Sequence, residues 1–496
     1  MDTGTLRLLR ETARFFEEQH QKVFLVGGSV RNIVLGKPCV DWDMVIERDA
    51  SALARRLADR LGGHYAHMHE KASRVVVKGE QEMVFDVSQL GSNSLEADLR
   101  LRDFTLDAIA APLASVVEHF ESGAPIQFID PLRGLADVEA RLLRAVDSEV
   151  FRHDPLRMLR AIRLSMRYSL TIDPATEGLL MRDAALLPQV APDRIREELY
   201  AILAPNGATE RLRGLDAYGL FTVLMPEFIP ARGMRQPFPH YWDVLEHSFE
   251  AIGMLEQLAA LLQQEPDVIR SSPLEQEGHL EEIAALLREA EQQGIFRFSM
   301  LTAPRMKMAA LLHDIGKPAT YAVDEEGAIH FYGHPQAGIP LAQQIMKRLN
   351  ASTADRRLAQ QVTAHHMRPG QLGQAGPVTP RAIRRYFVDL GHTGILIAIL
   401  SLADHLATLG PQPLNEHWTR HLSVVRLLLT SYIRARESIL PAQLVSASDL
   451  MRRLKLAPGP HVGQLLEQIA EAQAEGRIHS REEALWLAEE QYKQNQ

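Results

Sequence analysis

A single cysteine, Cys39, in 496 residues leaves no intrachain disulfide to hold this fold together, and it points by default to a reducing, cytoplasmic setting. Long apolar runs are missing too. The stretch GILIAIL (394–400) is far shorter than the ~20 residues a membrane helix needs, so no membrane span is expected. There is no low-complexity tract, and 46% hydrophobic residues is ordinary for a globular chain. An excess of positive charge is also lacking. The net charge of −9 excludes a uniformly basic nucleic-acid binder but permits a local basic groove, because binding answers to the local field. The N-terminal MDTGTLRLLRETARFFEEQHQ is broken by charge throughout and reads as an amphipathic helix, not a signal peptide.

The length exceeds what one hydrophobic core supports, so several domains are expected. Up to about residue 115, strands and helices alternate. KVFLVGG and DWDMVI read as strands, SALARRLADRLGG as a helix closed by glycine, and SRVVVKGEQEMVFDVSQL as two strands around a turn at Gly79. From Val138 the spacing is almost wholly helical, as in DVEARLLRAV, DPLRMLRAIRLSMRYSL and PDRIREELYAILA. The polar stretch 263–297 reads as a surface insertion, and GPQP (410–413) as a later boundary. The fold class is therefore α+β. Domains are expected at 1–137 (head), 138–205 (neck), 206–435 (helical body) and 436–496 (helical tail).

The first chemical signal lies in FLVGGSVRNIVLGKPCVDWDMVI (24–46). Positions i and i+2 of a strand share a face, so Asp41 and Asp43 present both carboxylates to one side, where Mg²⁺ and its phosphate partner fit. Gly27, Gly28 and Ser29 end a strand and open a helix, whose free N–H groups suit an anionic phosphate, and Arg31 lies in that first turn. A third acid, Asp86, sits on a later strand. Two acids for metal and a third to activate a hydroxyl make a phosphoryl-transfer site.

This joint pattern resembles the GG-x-V-R-D-x-L-L-G-x(n)-D-x-D motif of the bacterial-type (class II) tRNA nucleotidyltransferase and poly(A) polymerase family, in the DNA polymerase beta superfamily. DLRLRDFTLDAIA (98–110) is similar to the family's RRDFT-x-N-A segment, and the resemblance assigns ribose contacts to Arg102 and Asp103. DPLRGLADVEARLLRAV resembles the motif leading into the neck. The resemblance implies a mixed-sheet head, an all-α neck, an HD-type body and a helical tail. Three positions depart from the motifs: Asn32 for Asp, Asp107 for Asn, and Leu101 for the first Arg. Asn32 is expected to weaken a salt bridge that orients a neighbouring arginine.

FRHDPLRMLRAIRLSMRY (151–168) carries the second signal. Asp154 and Arg157 are three apart on an expected helix and are neighbours there. The aspartate only accepts hydrogen bonds and the arginine only donates. Cytosine and adenine offer an amine beside an acceptor and match the pair. Guanine and uracil present a carbonyl oxygen instead and are repelled. The stretch resembles the family's E-D-x-x-R template motif, with His153 in place of Glu. Arg160 and Arg163 continue the stripe as candidates for triphosphate or RNA phosphate.

The third signal is HYWDVLEHSFEAI, MAALLHDIGKP, FYGHPQAG, VTAHHMRPG and LSLADHLAT. Buried His and Asp cost several kcal/mol, roughly, unless paired or metal-bound. The spacing resembles the HD phosphohydrolase superfamily, which implies one metal on His247, His313, Asp314 and Asp404, and a second metal or a phosphate at His334 and His366. Imidazole and carboxylate suit Mn, Ni, Fe or Zn. The glycine-bearing turn at Gly459 and Gly463 lies in a segment that resembles the tail with which such enzymes reach the tRNA elbow.

The expected activity is addition of all or part of the 3′-terminal CCA to the tRNA 3′ end from CTP and ATP, with Mg²⁺ and no nucleic-acid template, by a monomer or homodimer. CC-only addition, A-only addition and poly(A) synthesis stay open. So does an HD phosphohydrolase whose head only binds RNA, although the intact Asp41, Asp43 and Asp86 argue against it.

Overall fold

The computed structural model describes residues 2–79, 82–374 and 376–494. It divides into two compact units, Met1–Ala191 with Ala217–Val223 and Pro192–Asp216 with Leu224–Gln496.

The first unit begins with α1 (Thr3–Glu18), β1 (Val23–Val26), α2 (Gly27–Val34), β2 (Asp41–Ile46) and α3 (Ala50–Leu61). Strands β3 (His64–His69), β4 (Ala72–Val77) and β5 (Met83–Gln89) follow, then α4 (Leu95–Arg100), β6 (Ala110–Pro112) and α5 (Leu113–Ser122). The six strands form one sheet in the order β3-β4-β5-β2-β1-β6, with β2 and β5 parallel and the other neighbours antiparallel. Strand alternation sorts side chains by face. Val75, Phe85 and Trp42 align in register across β4, β5 and β2 and are wholly buried. The next row, Arg74, Asp86 and Asp43, is polar and faces the other way. Helix α3 covers the sheet with Leu53, Ala54, Leu57 and Ala58, and Gly62 ends it in the left-handed conformation (φ 63°).

Beyond α6 (Gly134–Glu139), the chain runs through α7 (Val150–His153) and α8 (Arg157–Tyr168). The helix expected over DVEARLLRAV stops at Glu139, and Leu142–Leu143 instead pairs in parallel with Thr171–Ile172. The helix expected from Asp154 begins at Arg157, because Asp154 is extended (φ −149°, ψ 101°) and ends α7. An extended residue before Pro155 is what proline sterics demand.

The second unit is helical. Helix Thr393–Leu409 is buried along most of its length and carries Asp404 through its core. Helix His279–Gln292 forms the helical part of the expected insertion, and its Leu280, Ile283, Ala284, Leu286, Leu287 and Ala290 are all buried. Its polar residues lie on the solvent side of an amphipathic helix, and composition alone masked the apolar stripe. The tail helices Ala447–Leu454, Pro460–Ala474 and Arg481–Gln494 enclose their own apolar cluster around Leu450, Leu465, Ile469 and Ala484. No single helix among the described residues is long and apolar enough to cross a membrane.

Candidate functional site

The polar row of the head sheet forms the first site. Asp43 and Asp86 are direct partners in the parallel β2–β5 ladder, and Asp41 lies two residues up the same face. Arg74, not singled out by the sequence, donates to both oxygens of Asp86 at 2.7 and 2.8 Å. Burial, then the charge of Asp86, pushes Asp43 up to about 6. A carboxylate so placed fits a cation, which would remove both penalties. Asp41, Asp43 and Asp86 are nevertheless not drawn within the 4.8 Å spacing of the ligand-atom groups found in the second unit.

Gly27 and Gly28 open α2 beside this row. Gly27 has φ +59°, and a Cβ there would lie 2.9 Å from Arg102 Nη1. A Cβ on Gly28 would lie 3.3 Å from both Arg31 Nη2 and Asp43 Oδ2. The glycines thus let two arginines and the Asp43 carboxylate approach the backbone.

Two residues expected to hold triphosphate are used otherwise. Ser29 is fully buried, and its hydroxyl accepts from Asp43 N at 2.6 Å and donates to Asp41 O at 3.2 Å, so its side chain fixes the acidic strand. Arg31 is buried and paired with Asp107 at 2.6 Å, with Tyr168 Oη at 2.9 Å. Its guanidinium is a structural cation behind the cradle. The weakened salt bridge expected from Asn32 is absent, because Asp107 supplies the carboxylate.

In the neck, Arg160 donates to Asp103 at 2.8 Å, and Asp103 is buried with its other oxygen on the Phe104 N–H at 3.1 Å. Arg160 is therefore engaged with Asp103, and the Asp103 carboxylate with Arg160 and the chain, not with solvent. Arg157 donates to the carbonyls of Arg102 (3.2 Å) and Leu101 (2.8 Å), clamping α8 to the segment that carries Arg102. Asp154 accepts from Leu156 N at 3.2 Å, an Asx-type turn, and is half-buried, as is Arg163 on α8.

The second unit holds the other site. His247 comes from helix Val244–Leu262, and His313 and Asp314 follow helix Pro304–Leu311. His334 opens helix His334–Arg348, His366 ends helix Thr353–His365, and Asp404 lies on Thr393–Leu409. The six residues converge. Asp314 Oδ2 lies 3.3 Å from His247 Nε2 and 3.2 Å from His313 Nε2, while Oδ1 lies 3.2 Å from His334 Nε2 and 3.3 Å from His366 Nε2. Asp404 Oδ1 approaches His247 at 2.9 Å and His313 at 3.4 Å. Asp314 bridges two ligand groups, one with His247, His313 and Asp404, the other with His334 and His366.

The tautomers are set from behind. Nδ1 of His313, His334 and His366 donates to the carbonyls of Ala310 (2.7 Å), Phe331 (2.9 Å) and Thr363 (3.1 Å), which turns each Nε2 lone pair toward Asp314. His313 Nε2, His247 Nε2 and Asp314 Oδ1 are buried without hydrogen-bond partners. Acceptors facing acceptors in a buried centre fit divalent metal ions. Lys317, which the sequence reading did not use, pairs with Asp314 and donates to Gln236 at 2.7 Å. A cleft of ≈ 540 Å³ opens over the centre, and His240, Lys317, His417 and Arg420 also line it.

Known proteins agree with this geometry. The Poly A polymerase head domain matches residues 23–144, the probable RNA and SrmB-binding site of polymerase A matches 169–232, and the HD domain matches 244–409. An A-adding tRNA nucleotidyltransferase of Deinococcus radiodurans is 33% identical over 468 residues, 93% of each chain. A CC-adding tRNA nucleotidyltransferase of Thermus thermophilus is 30% identical over 471 residues, 93% of this chain and 92% of its own. The solved apo form I of a CCA-adding enzyme superposes with a TM-score of 0.61 at 18% identity, covering 98% of this chain and 94% of that one, and so shares the fold. With a nucleotidyltransferase head, an RNA-binding segment and an HD body in one chain, the protein belongs to the bacterial-type tRNA nucleotidyltransferase family and is an enzyme.

Proposed function

We propose that this enzyme transfers C, A or both from CTP and ATP to the 3′ end of tRNA, with residues 1–137 as catalytic head, 138–205 as neck, 206–435 as HD body and 436–496 as tRNA-contacting tail. The observation that carries the reading is the Arg74–Asp86–Asp43 row beside the Gly27–Gly28 opening of α2. Asp41 and Asp43 would hold Mg²⁺, which when bound would supply charge neutralisation for the triphosphate and Lewis-acid activation of the α-phosphate. Free N–H groups at the start of α2 receive phosphate oxygens. Asp86 accepts the proton of the terminal 3′-OH once Arg74 releases one of its oxygens, the 3′ oxygen forms a bond to the α-phosphorus, and the Pα–O bond to pyrophosphate breaks so that pyrophosphate leaves. Arg102 faces the ribose, and Arg157, its plane fixed by two carbonyls, reads the base with Asp154. The relatives support these substrates: solved CCA-adding enzymes are complexed with ATP, with CTP and with tRNA. A cytoplasmic setting is consistent with action on tRNA.

A second reading is partial addition. Three curated relatives that this chain matches over more than nine-tenths of both lengths are named A-adding or CC-adding. Incubating the protein with tRNAs ending before the first C, before the second C and before A, each with one labelled NTP, separates full from partial addition. No incorporation on any of them overturns both readings.

The HD centre is proposed to hydrolyse phosphate esters with Mn, Ni, Fe or Zn on its two ligand groups. Its support is the bridging Asp314. Release of phosphate or ring-opening of a 2′,3′-cyclic phosphate by the metal-loaded protein, lost in Asp314→Asn, tests it.

A further inference from the structure

Arg31 sits at the meeting point of four groups from separate parts of the first unit. Its Nη1 donates to Asp107 Oδ1 at 2.6 Å, and its Nη2 donates to Tyr168 Oη at 2.9 Å and Asn32 Oδ1 at 3.3 Å. Its guanidinium also lies over the Tyr168 ring, 4.5 Å from the centroid. Tyr168 in turn donates to Asn32 Oδ1 at 2.9 Å, and Asn32 Nδ2 donates to Pro38 O at 3.4 Å on the segment leading into Asp41. Tyr168 is the last residue of α8, the helix that begins with Arg157. Arg31 Nη2 and Asp43 Oδ2 both border Gly28, each 3.3 Å from where a Cβ on it would lie, and the Arg31 charge acts on Asp43 at longer range.

Charge balance dictates the residue types. Arg31 and Asp107 are both buried, so one guanidinium meets one carboxylate. A second carboxylate at 32 would leave an uncompensated negative charge in a buried network. An amide there accepts from Tyr168 and Arg31 through its oxygen and donates to Pro38 through its nitrogen, which a carboxylate cannot do.

We propose that Asn32 and Asp107 are one matched exchange, and that with Arg31 and Tyr168 they form a positioning relay joining the metal-facing Asp43 to the nucleotide-selecting helix α8. The relay's purpose rests on the nucleotidyl-transfer reading above. Arg31 is a positioning residue: it acts on the nucleotide through Asp43 and through the helix that Tyr168 closes. The carboxylate at 107 and the amide at 32 hold Arg31 in one place, and the two positions are interchangeable only together.

The test is a double-mutant cycle on Asn32→Asp and Asp107→Asn, with Tyr168→Phe as a milder variant. Each charge variant alone is expected to lower kcat/KM for the incorporated nucleotide about tenfold or more, and the double variant to return to within about threefold of wild type. Tyr168→Phe keeps the ring over Arg31 and removes one hydroxyl. It is expected to lower kcat about fivefold with KM and melting temperature near wild type, which a purely structural role would not produce. Single variants at wild-type activity, or a double variant no better than the product of the two, overturn the proposal. So does a Tyr168→Phe protein that loses stability with kcat unchanged. If the wild-type protein transfers no nucleotide, the functional reading fails, and the matched exchange is then judged by the same cycle on melting temperature, where additivity overturns it.

Discussion

Asp43 and Asp86 face each other across the parallel β2–β5 ladder, yet among the described residues only Asp86 has an arginine on its carboxylate. Asp43 is left half-buried beside a negative neighbour and rises to about 6. In the metal-free protein, its folded form holds a proton that the unfolded chain has already lost, so stability falls as pH rises from about 4 to about 6. Above that window the ionised carboxylate strains the fold.

Asp43→Asn should therefore raise the melting temperature of the metal-free protein at pH 7.5, with a gain on the order of 1–2 kcal/mol after allowance for partial exposure. The gain should vanish below about pH 4, where both forms are neutral, and shrink when Mg²⁺ binds the wild type. Thermal melts in EDTA and in Mg²⁺ across this range check it. A destabilised Asp43→Asn protein at pH 7.5 in EDTA contradicts it. The same variant should lose transfer activity.

Arg74 is the counter-charge for this row and was invisible as a functional residue in the sequence. Arg74→Ala leaves Asp86 without its paired guanidinium, with only the longer-range charges of Arg102 and Arg31 acting on Asp43. In the metal-free protein the titration of Asp43, near 6 in the wild type, should therefore move upward. An NMR pH titration of the Asp43 carboxyl in EDTA measures it, and an unmoved titration shows that Arg74 does not act on Asp43.

Asp103 and Arg160 yield a contrast with Arg157. Asp103 is buried; burial alone would raise it, and Arg160 overcomes this and holds it below the usual carboxylate range. That stabilisation is present above the unfolded carboxylate pKa and is lost as pH falls through the lower folded value. Arg160→Ala strands the carboxylate and should cost about 2–4 kcal/mol at pH 7, less in acid. Arg157→Ala removes bonds only to exposed or half-exposed carbonyls and should cost about 1 kcal/mol or less while blurring choice among the four NTPs. Chemical denaturation of both variants, with misincorporation assays on Arg157→Ala, separates anchor from selector.

The parts of the fold legible in the sequence are those written in local pattern. DWDMVI and MVFDVSQ show their two faces by alternation, and β2 and β5 pair in parallel so that Asp43 meets Asp86. The His and Asp residues of the HD centre were legible mainly through the spacing that resembles the HD superfamily, with His313 and Asp314 also standing out in an apolar run. What escaped were pairings between distant segments. Nothing local to Arg31 shows that Asp107 and Tyr168 will enclose it, 76 and 137 residues away. Apolar spacing through 151–168 likewise hid the helix break, because buried Phe151 in α7 and Met158 in α8 keep the helical period on either side of it.

The HD centre provides a pH signature of its own. Burial opposes a charge on His313, but Asp314 and Asp404 outweigh it and push the imidazole up to about 10. In the metal-free protein a proton thus holds the two carboxylates together. A raised histidine contributes stability that is full below its unfolded pKa, near 6.5, and is lost as pH climbs through about 10. Metal-free protein should accordingly lose on the order of 3 kcal/mol between pH 7 and pH 10 through this group. A divalent metal takes the proton's place, so the loaded protein should show a flatter profile and a melting temperature that rises with metal concentration. His313→Gln should flatten the metal-free profile as well, because the titrating group is gone, and should abolish the metal-dependent rise. Melting curves in EDTA and in Mn²⁺ or Zn²⁺ from pH 6.5 to about 10 measure all three. A metal-free wild type as stable at the alkaline end as at pH 7, or a His313→Gln protein still stabilised by metal, would show that His313 is not a ligand of this centre.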